Sequence, residues 1–219
     1  MKILVINPGS TSTKIAVYEN DTPRLVRNIR HTVDELSSFS HIIDQFEFRK
    51  NLVLKELEAD NIPFEFDAIV GRGGLLKPIP GGVYEVNDAM LDDILHAMRT
   101  HACNLGCLIA SELAALLPGC RAFIADPGVV DELDEIARIT GSPLMPRITI
   151  WHALNQRAIA RRYAAAQHVR YEDLDLIVCH LGGGISVGVH HHGKAVDVNN
   201  ALDGEGPFSP ERAGTLPAG

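Results

Sequence analysis

The feature that most constrains the fold is a pattern of strand, turn, strand, turn and strand that occurs twice along the chain. Each copy is a set of short apolar runs separated by Gly-, Pro- or Asn-containing turns. The runs lie at 2–7, 13–18 and 25–29 in the first copy and at 176–180, 185–190 and 196–198 in the second. Consecutive short strands joined by tight turns favour an antiparallel meander. Because one supersecondary unit recurs, the sequence indicates an internal duplication.

The residues that follow the first copy predict the rest of the repeated unit. Helical spacing over 40–60 precedes a buried strand over 66–70, and a helix between two strands favours a parallel crossover. Further helices are expected over 87–99, 104–117 and 152–167, with Asn87 and Asn104 as N-caps of the first two. The sequence therefore predicts an α/β protein with a first lobe over 1–128 and a second over 129–219. The first copy continues for about 100 residues after its third strand and the second for about 20, so we expect a truncated second lobe.

Composition excludes several classes of protein. The 219 residues are 46% hydrophobic and 22% charged, which is typical of a globular chain and argues against collagen, coiled coil and disorder. No apolar run approaches the length of a membrane span, and the first residues lack a secretory signal, so a cytoplasmic location is expected. The net charge of −8 makes a nucleic-acid partner improbable, because such binding needs clustered Lys and Arg. The densest basic cluster, Arg157, Arg161 and Arg162, is interpreted as one face of a helix.

The first motif with chemical content is the turn NPGSTSTK over 7–14. Backbone N–H groups and hydroxyls at Ser10 and Ser12 suit a phosphate, and Lys14 adds a positive charge. It is not a Walker P-loop, because the order GK[ST] is absent and no helix is predicted after it. An ordinary hairpin turn with the same residue types is the competing interpretation.

A second motif, HLGGGIS over 180–186, occupies the matching position of the second copy. Three adjacent glycines, Gly182, Gly183 and Gly184, carry a high entropic cost that close approach to a ligand would justify. A tight turn is the alternative. Two such loops at matching positions of a duplicated unit are expected to face each other across a cleft and to bind one nucleotide from both sides.

Other candidates are single charged or imidazole side chains in loops and at element ends. Arg72 lies among glycines after a buried strand, where its guanidinium can reach an anion bidentately. The segment 203–214, which contains Arg212, reads equally as an active-site loop or as disorder. For His101, Asp126 and His152, capping or a buried hydrogen bond is as plausible as catalysis. The run 190–192 of three histidines is interpreted as a solvated turn rather than a metal site.

Together these motifs resemble the acetate, propionate and butyrate kinase family of the sugar kinase, Hsp70 and actin superfamily. The resemblance covers essentially the whole chain. It rests on segments 7–14, 70–87, 100–114, 125–133, 151–164, 180–190 and 196–217, of which VDVNNALDGEGPFSPERAGTLP is the most specific. It implies a ribonuclease-H-like core in each lobe and an actin-like ATPase fold.

The resemblance also implies roles for individual residues. Asn7, Ser10, Ser12 and Lys14 match the family's first phosphate motif, and the segment 181–186, with Gly182, Gly183, Gly184 and Ser186, matches the second. Arg72 and Arg212 match two arginines that flank the transferred phosphoryl group. His152 matches a histidine that contacts this group, His101 a second active-site histidine, and Asp126 an acid that orients an arginine.

The implied activity is phosphate transfer between ATP and butanoate, used in reverse to make ATP from butanoyl phosphate in fermentation. A carboxylic acid is already ionised at neutral pH, so this nucleophile needs charge neutralisation rather than a general base. ATP or ADP and magnesium are the implied cofactors. A kinase for another short or branched acid, a hydroxyl kinase with Asp126 as base, and a non-enzymatic actin-like nucleotide-binding protein stay open as alternatives.

The resemblance further implies a homo-oligomer at full length and no membrane partner. Family members continue beyond the Arg212 loop, and that part contains the adenine pocket, a magnesium-linked glutamate and a helix that packs on the first lobe. This chain alone is therefore expected to bind ATP weakly or not at all. No residue of this sequence is assigned as a metal ligand.

Overall fold

A computed structural model of the chain describes residues 1–97 and 99–217, which form two compact units. Unit 1 comprises Met1–Lys77 and Val83–Ala125, and unit 2 comprises Pro78–Gly82 and the chain from Asp126 onward. Met98 of the predicted helix over 87–99 and residues 218 and 219 of the predicted second lobe lie outside the described residues. The short segment Pro78–Gly82 thus belongs to unit 2, although it lies within the predicted first lobe.

Unit 1 is built on a six-stranded sheet with the order β3-β2-β1-β4-β6-β5. Its strands are β1 (Lys2–Pro8), β2 (Ser12–Glu19), β3 (Thr22–Arg30), β4 (Ala68–Gly71), β5 (Val83–Glu85) and β6 (Arg121–Ala125). The first three form the predicted antiparallel meander. β4 lies parallel to β1 and β6, which confirms the crossover, whereas β5 pairs antiparallel with β6.

The helices of unit 1 are α1 (Val33–Ser37), α2 (Phe46–Ala59), α3 (Asp88–Leu95) and α4 (Asn104–Ala115), with a 3-10 turn at Ile42–Gln45 before α2. α4 packs against β1, β4 and β6, and α2 adds Val53 and Leu57 to the same core. The core packs alternate residues of β1, such as Leu4 and Ile6, against α4 residues such as Leu105 and Ile109. Burial of these apolar side chains contributes roughly 1.5–3 kcal/mol each.

One of the two predicted helix caps is wrong. Asn87 does cap α3, because its side chain accepts the Met90 N–H at 3.0 Å. Asn104, however, is the first residue of α4, and Cys103 occupies the N-cap position. The Asn104 amide oxygen accepts the N–H of Leu75 at 3.0 Å instead. The Leu75 N–H lies in a buried loop and needs an acceptor. The Asn104 side chain, which the sequence assigned to a helix end, provides it.

Unit 2 contains the second meander, a three-stranded antiparallel sheet with the order β7-β8-β9. The strands are β7 (Asp175–Leu181), β8 (Ile185–His191) and β9 (Lys194–Val198). The long helix α5 (Ala153–Ala166) packs on β7, and 3-10 turns lie at Glu135–Arg138 and Tyr171–Asp173. The recurrence of the βββ unit confirms the predicted duplication.

The histidine run differs from its predicted role as a solvated turn. His191 and His192 are exposed, and His192 begins the turn to β9 with a positive φ of 47°. His190 is fully buried, because it shares the inner face of β8 with Ser186 and Gly188. The sequence predicts His190 as the last residue of the strand over 185–190, so only its inclusion in the solvated turn is wrong.

The apolar composition and the cysteines can also be compared with the structure. Within the described residues, none of the helices is long and apolar enough to cross a membrane. The four cysteines are free thiols, with Cys103 and Cys107 buried and Cys179 exposed. Burial raises the pKa of the Cys107 thiol to about 12, which makes it unreactive at neutral pH.

Candidate active site

The first predicted phosphate motif is a tight turn between β1 and β2. Asn7 pairs with Lys14 across the two strands, and the Gly9 N–H donates to the Ser12 carbonyl at 2.7 Å. Ser10 and Lys14 are exposed, whereas Asn7 and Ser12 are half-buried. A hydroxyl, an amide and an ammonium therefore lie at one end of the antiparallel pair, where they can bind an anion.

A buried arginine that the sequence did not single out supports this turn. Arg49 of α2 is fully buried, and burial lowers its pKa to about 10. Its guanidinium donates to the carbonyl of Ser12 at 3.0 Å, to Thr13 Oγ1 at 2.9 Å and, at 3.4 Å, to the carbonyl of Ser10. Gln45 Oε1 accepts two more of its hydrogen bonds. The backbone of the predicted phosphate turn is thus hydrogen-bonded from inside the unit.

Arg72 lies at the end of β4, in the same unit. Its backbone N–H donates to the Ile6 carbonyl at 2.8 Å, and its Nη1 lies 3.5 Å from Asn7 Oδ1. A Cβ at Gly106 of α4 would lie only 2.5 Å from the Arg72 carbonyl, so this close approach of helix and loop requires glycine. The structure therefore brings Arg72 together with Asn7 of the first motif.

His101 lies in the turn before α4 and also neighbours the first motif. Its Nδ1 accepts the Cys103 N–H at 3.1 Å, and its Nε2 lies 3.5 Å from Ser10 Oγ. The first contact is a hydrogen bond to the backbone just before α4. The Nε2 contact adds His101 to the polar residues around Ser10.

The glycine turn of unit 2 is covered by the segment that contains Arg212. The Gly183 carbonyl accepts Ser209 Oγ–H at 2.6 Å and the Glu211 N–H at 3.2 Å. A Cβ at Gly184 would lie 1.9 Å from Arg212 Nη1, so the guanidinium occupies the space that the absent side chain leaves. The segment around Arg212 is therefore an ordered loop against the Gly turn rather than a disordered tail.

His152 lies at the N-terminus of α5 and meets the same turn. Its ring stacks on that of His180 with a centroid distance of 3.7 Å and an interplanar angle of 3°. Its Nδ1 lies 2.9 Å from Ser186 Oγ, and its Cε1 would be 3.4 Å from a Cβ at Gly184. Four of the predicted residues of unit 2, His152, Gly184, Ser186 and Arg212, thus form one cluster.

Asp126 is placed elsewhere in unit 2, in a buried ion-pair network. It is 5% exposed, and its φ of +36° is in the region that favours glycine. Its Oδ1 lies 3.0 Å from Arg157 Nε, and its Oδ2 accepts from Arg161 Nη1 at 3.1 Å. The Gly82 N–H donates to Oδ1 as well, at 2.9 Å. Asp126 therefore pairs with Arg157 and Arg161 of α5.

Arg157 and Arg161 of the basic cluster both contact Asp126, so these two residues lie on one face of α5. Arg157 is 5% exposed and also donates to Glu132 Oε2 at 2.8 Å. Its guanidinium lies against Gly81, where an added Cβ would be 2.5 Å from the central carbon. Arg161 and Arg162 are exposed.

Comparison with known proteins identifies relatives over the full chain. The chain is 80% identical over 219 residues to a protein of Bacteroides thetaiotaomicron named "Probable butyrate kinase". It is 56% identical over 220 residues to "Butyrate kinase 2" of Clostridium acetobutylicum. Over its full length the chain is similar to proteins named butyrate kinase. No family model matches it, and it spans 62% of the length of both relatives.

Solved structures show the fold of this chain. Porphyromonas gingivalis acetate kinase superposes with a TM-score of 0.70 at 19% identity, over 99% of this chain and 62% of that one. A propionate kinase from Francisella tularensis gives 0.68 at 16% identity over the same shares. The chain thus has the actin-like ATPase fold of these kinases, and its match covers part of their length.

Across residues 1–97 and 99–217, no group of three or more His, Cys, Asp or Glu side chains is arranged to hold a metal ion.

Sequence reasoning missed two residues in the interior of unit 2. Gln156 and His190 are fully buried and hydrogen-bonded to each other, with 2.9 Å between Gln156 Oε1 and His190 Nε2. The available signal for Gln156 was its spacing of four residues from His152 on α5, which places both on one face of the helix. For His190 it was the alternation of β8, which points every second residue inward.

Proposed function

We propose that this chain is part of a carboxylate kinase that transfers phosphate between ATP and butanoate, forming ADP and butanoyl phosphate or the reverse. The observation that carries the proposal is the cluster of Arg212, His152 and the Gly184 turn in a chain homologous to butyrate kinases. It combines a cation, an imidazole and a backbone turn without a Cβ. These groups suit an anionic phosphoryl group.

The chemistry of the acceptor explains why such a cluster is sufficient. A carboxylate is ionised at neutral pH and attacks phosphorus without giving up a proton. The difficulty is the approach of one anion to another, in a loose transition state with negative charge spread over the phosphoryl oxygens. Arg212 offers a delocalised charge and several N–H donors for these oxygens, and His152 adds an imidazole beside it. Catalysis then depends on positioning and charge neutralisation.

The position of Asp126 favours a carboxylate acceptor over a hydroxyl acceptor. A hydroxyl kinase needs a carboxylate that can take the proton of the attacking group. Both oxygens of Asp126 are already engaged, by Arg157, Arg161 and the Gly82 N–H, and the side chain is 5% exposed. A carboxylate held in this way is poorly suited to accept a proton from a substrate, and we assign it a structural role.

Unit 1 supplies further groups that can bind phosphate oxygens. We propose that the amide of Asn7, the hydroxyls of Ser10 and Ser12, the ammonium of Lys14 and the guanidinium of Arg72 do so. The contact of Arg72 with Asn7 and the exposure of Ser10 and Lys14 support this assignment. His101 neighbours Ser10 and is proposed to orient it. Magnesium bound to the nucleotide would neutralise phosphate charge.

The location and the partners of the enzyme are proposed from the composition and from the proposed substrates. We propose a cytoplasmic protein that forms homo-oligomers and acts on nucleotide and short carboxylates or acyl phosphates, without nucleic-acid or membrane partners. The net charge of −8 supports the absence of a nucleic-acid partner. A role in fermentation is proposed because acyl phosphate and ADP yield ATP directly.

The test uses a chimaera in which this chain replaces the matching part of the Bacteroides thetaiotaomicron relative. Acyl phosphate formed from ATP is trapped as hydroxamate across straight and branched acids of two to five carbons. The proposal predicts product with butanoate as the best acid and no sugar-dependent ADP release. Nucleotide hydrolysis that is independent of any acid would instead support the alternative of an actin-like nucleotide-binding protein. A higher rate with another acid would change the substrate and leave the reaction class intact.

A further inference from the structure

A continuous chain of hydrogen bonds runs from His152 into the interior of unit 2. His152 Nδ1 contacts Ser186 Oγ at 2.9 Å, and Ser186 Oγ contacts Gln156 Nε2 at 2.8 Å. Gln156 Oε1 contacts His190 Nε2 at 2.9 Å, and His190 Nδ1 contacts the Tyr171 hydroxyl at 2.5 Å. Ser186, Gln156 and His190 are each fully buried. The chain therefore links an active-site imidazole to a buried one.

The orientation of the Gln156 amide is determined by a group that can only accept. Gln156 Nε2 lies 2.9 Å from the backbone carbonyl of Ser186. A carbonyl has no proton to donate, so the amide atom that faces it must be the NH₂ group. The same NH₂ donates to Ser186 Oγ, and Oε1 consequently faces His190. A flipped amide would place two acceptors against each other.

The amide orientation fixes the state of His190. Because Gln156 Oε1 can only accept, His190 Nε2 must carry a proton, and a neutral ring then has a bare Nδ1. Tyr171 donates its hydroxyl proton to this nitrogen. Burial, with a contribution from Arg157, lowers the pKa of His190 to about 4, so the ring is neutral at physiological pH. The neutral ring that this pKa indicates is also the state that the hydrogen bonds to Gln156 and Tyr171 require.

The hydrogen-bond partners of Ser186 Oγ determine the tautomer of His152. Three groups of described residues contact Ser186 Oγ: the Gln156 amide, the His152 backbone N–H at 3.4 Å and His152 Nδ1. The first two are donors only, which leaves Nδ1 as the acceptor of the serine proton. A neutral His152 therefore carries its own proton on Nε2.

We propose that Gln156 and His190 are positioning residues that hold His152 in the Nε2–H tautomer. The purpose of this tautomer rests on the proposed function: the ring then presents an N–H donor, rather than a bare nitrogen, to a phosphoryl oxygen. Ser186 transmits the orientation and the parallel ring of His180 keeps the plane of His152 fixed. This assigns Ser186 Oγ to His152 rather than to phosphate.

The test reads the two tautomers by nuclear magnetic resonance in this chain, labelled with ¹⁵N-histidine, at a pH about two units above the ordinary histidine pKa of about 6.5. Long-range ¹⁵N–¹H correlations distinguish a protonated ring nitrogen from a bare one. We expect protonated Nε2 and bare Nδ1 in both His152 and His190. A protonated Nδ1 on either ring would overturn the inference, without any variant being needed.

A variant then tests the role of Gln156. Gln156→Met keeps the length of the side chain but removes the amide, and we expect the tautomer ratio of His152 to shift at least fivefold toward Nδ1–H. Arg162→Gln, an exposed change on the same helix, serves as the control and should leave the ratio unchanged. An unchanged ratio in the folded Gln156→Met protein would reject the positioning role. Because the readout is independent of activity, its failure leaves the proposed function untouched, and inactivity of the chimaera leaves the tautomer untouched.

Discussion

The buried guanidinium of Arg49 offers a direct test of what holds the first phosphate turn. Arg49→Met removes hydrogen bonds to Ser12 O, Thr13 Oγ1 and Gln45 Oε1, all at 3.0 Å or less. Leaving a buried acceptor without its donor costs about 1–3 kcal/mol. Other donors compensate in part, since Gly9 N–H also reaches Ser12 O. The substitution also removes a charge that is costly to bury, and this gain offsets a further part of the destabilisation.

We therefore expect Arg49→Met to lower the free energy of unfolding by about 2–3 kcal/mol, measured by urea denaturation followed by circular dichroism. Lys55→Met provides the matched control, because Lys55 is exposed on the same helix, and it should change stability by less than about 0.5 kcal/mol. Backbone amides at Ser12 and Thr13 should also exchange faster with solvent in Arg49→Met. Equal stability of the two variants would refute the idea that Arg49 supports the turn.

Two further predictions concern unit 2. Asp126→Asn should destabilise the protein by about 1–3 kcal/mol, because it removes the charge that pairs with Arg157 and Arg161, while Glu132 still pairs with Arg157. Asp134→Asn at an exposed site should have little effect in the same denaturation assay. For His190, protons bind the unfolded chain below about pH 6.5 but the folded protein only near its lowered pKa of about 4. Stability should therefore fall by about 3 kcal/mol as the pH drops from about 6.5 to about 4, and His190→Phe should flatten this slope. An unchanged slope would refute the assignment.

The sequence predicts much of the fold because local patterns carry it. The meander over 2–29 and its copy in β7–β9 alternate apolar residues around turns that contain Pro, Gly or Asn, and both form where predicted. The two meanders depend on neighbouring residues along the chain. The candidate residues around Gly184 come together although His152 and Arg212 lie far from it in sequence.

The errors concern polar residues whose partners lie far away in sequence. The Asn104 amide oxygen accepts the Leu75 N–H rather than an N–H at a helix end. Arg157 is buried because the carboxylates of Asp126 and Glu132 both contact it. His190 is inside because Gln156 and Tyr171 satisfy both of its nitrogens. Whether a polar side chain is buried is decided by such partners, and no local pattern encodes them.

The most direct test of the account is to displace Arg212 without touching it. Gly184→Ala in the chimaera places a methyl group 1.9 Å from the present position of Arg212 Nη1, at the mobile end of that side chain, so the protein should fold while the guanidinium moves. Gly141→Ala adds the same methyl group where nothing lies within 4 Å. We predict that Gly184→Ala lowers butanoyl hydroxamate formation at least a hundredfold and that Gly141→Ala leaves it unchanged. Equal rates for the two variants, at equal stability, would contradict the assignment of Arg212 and the Gly184 turn to phosphoryl transfer.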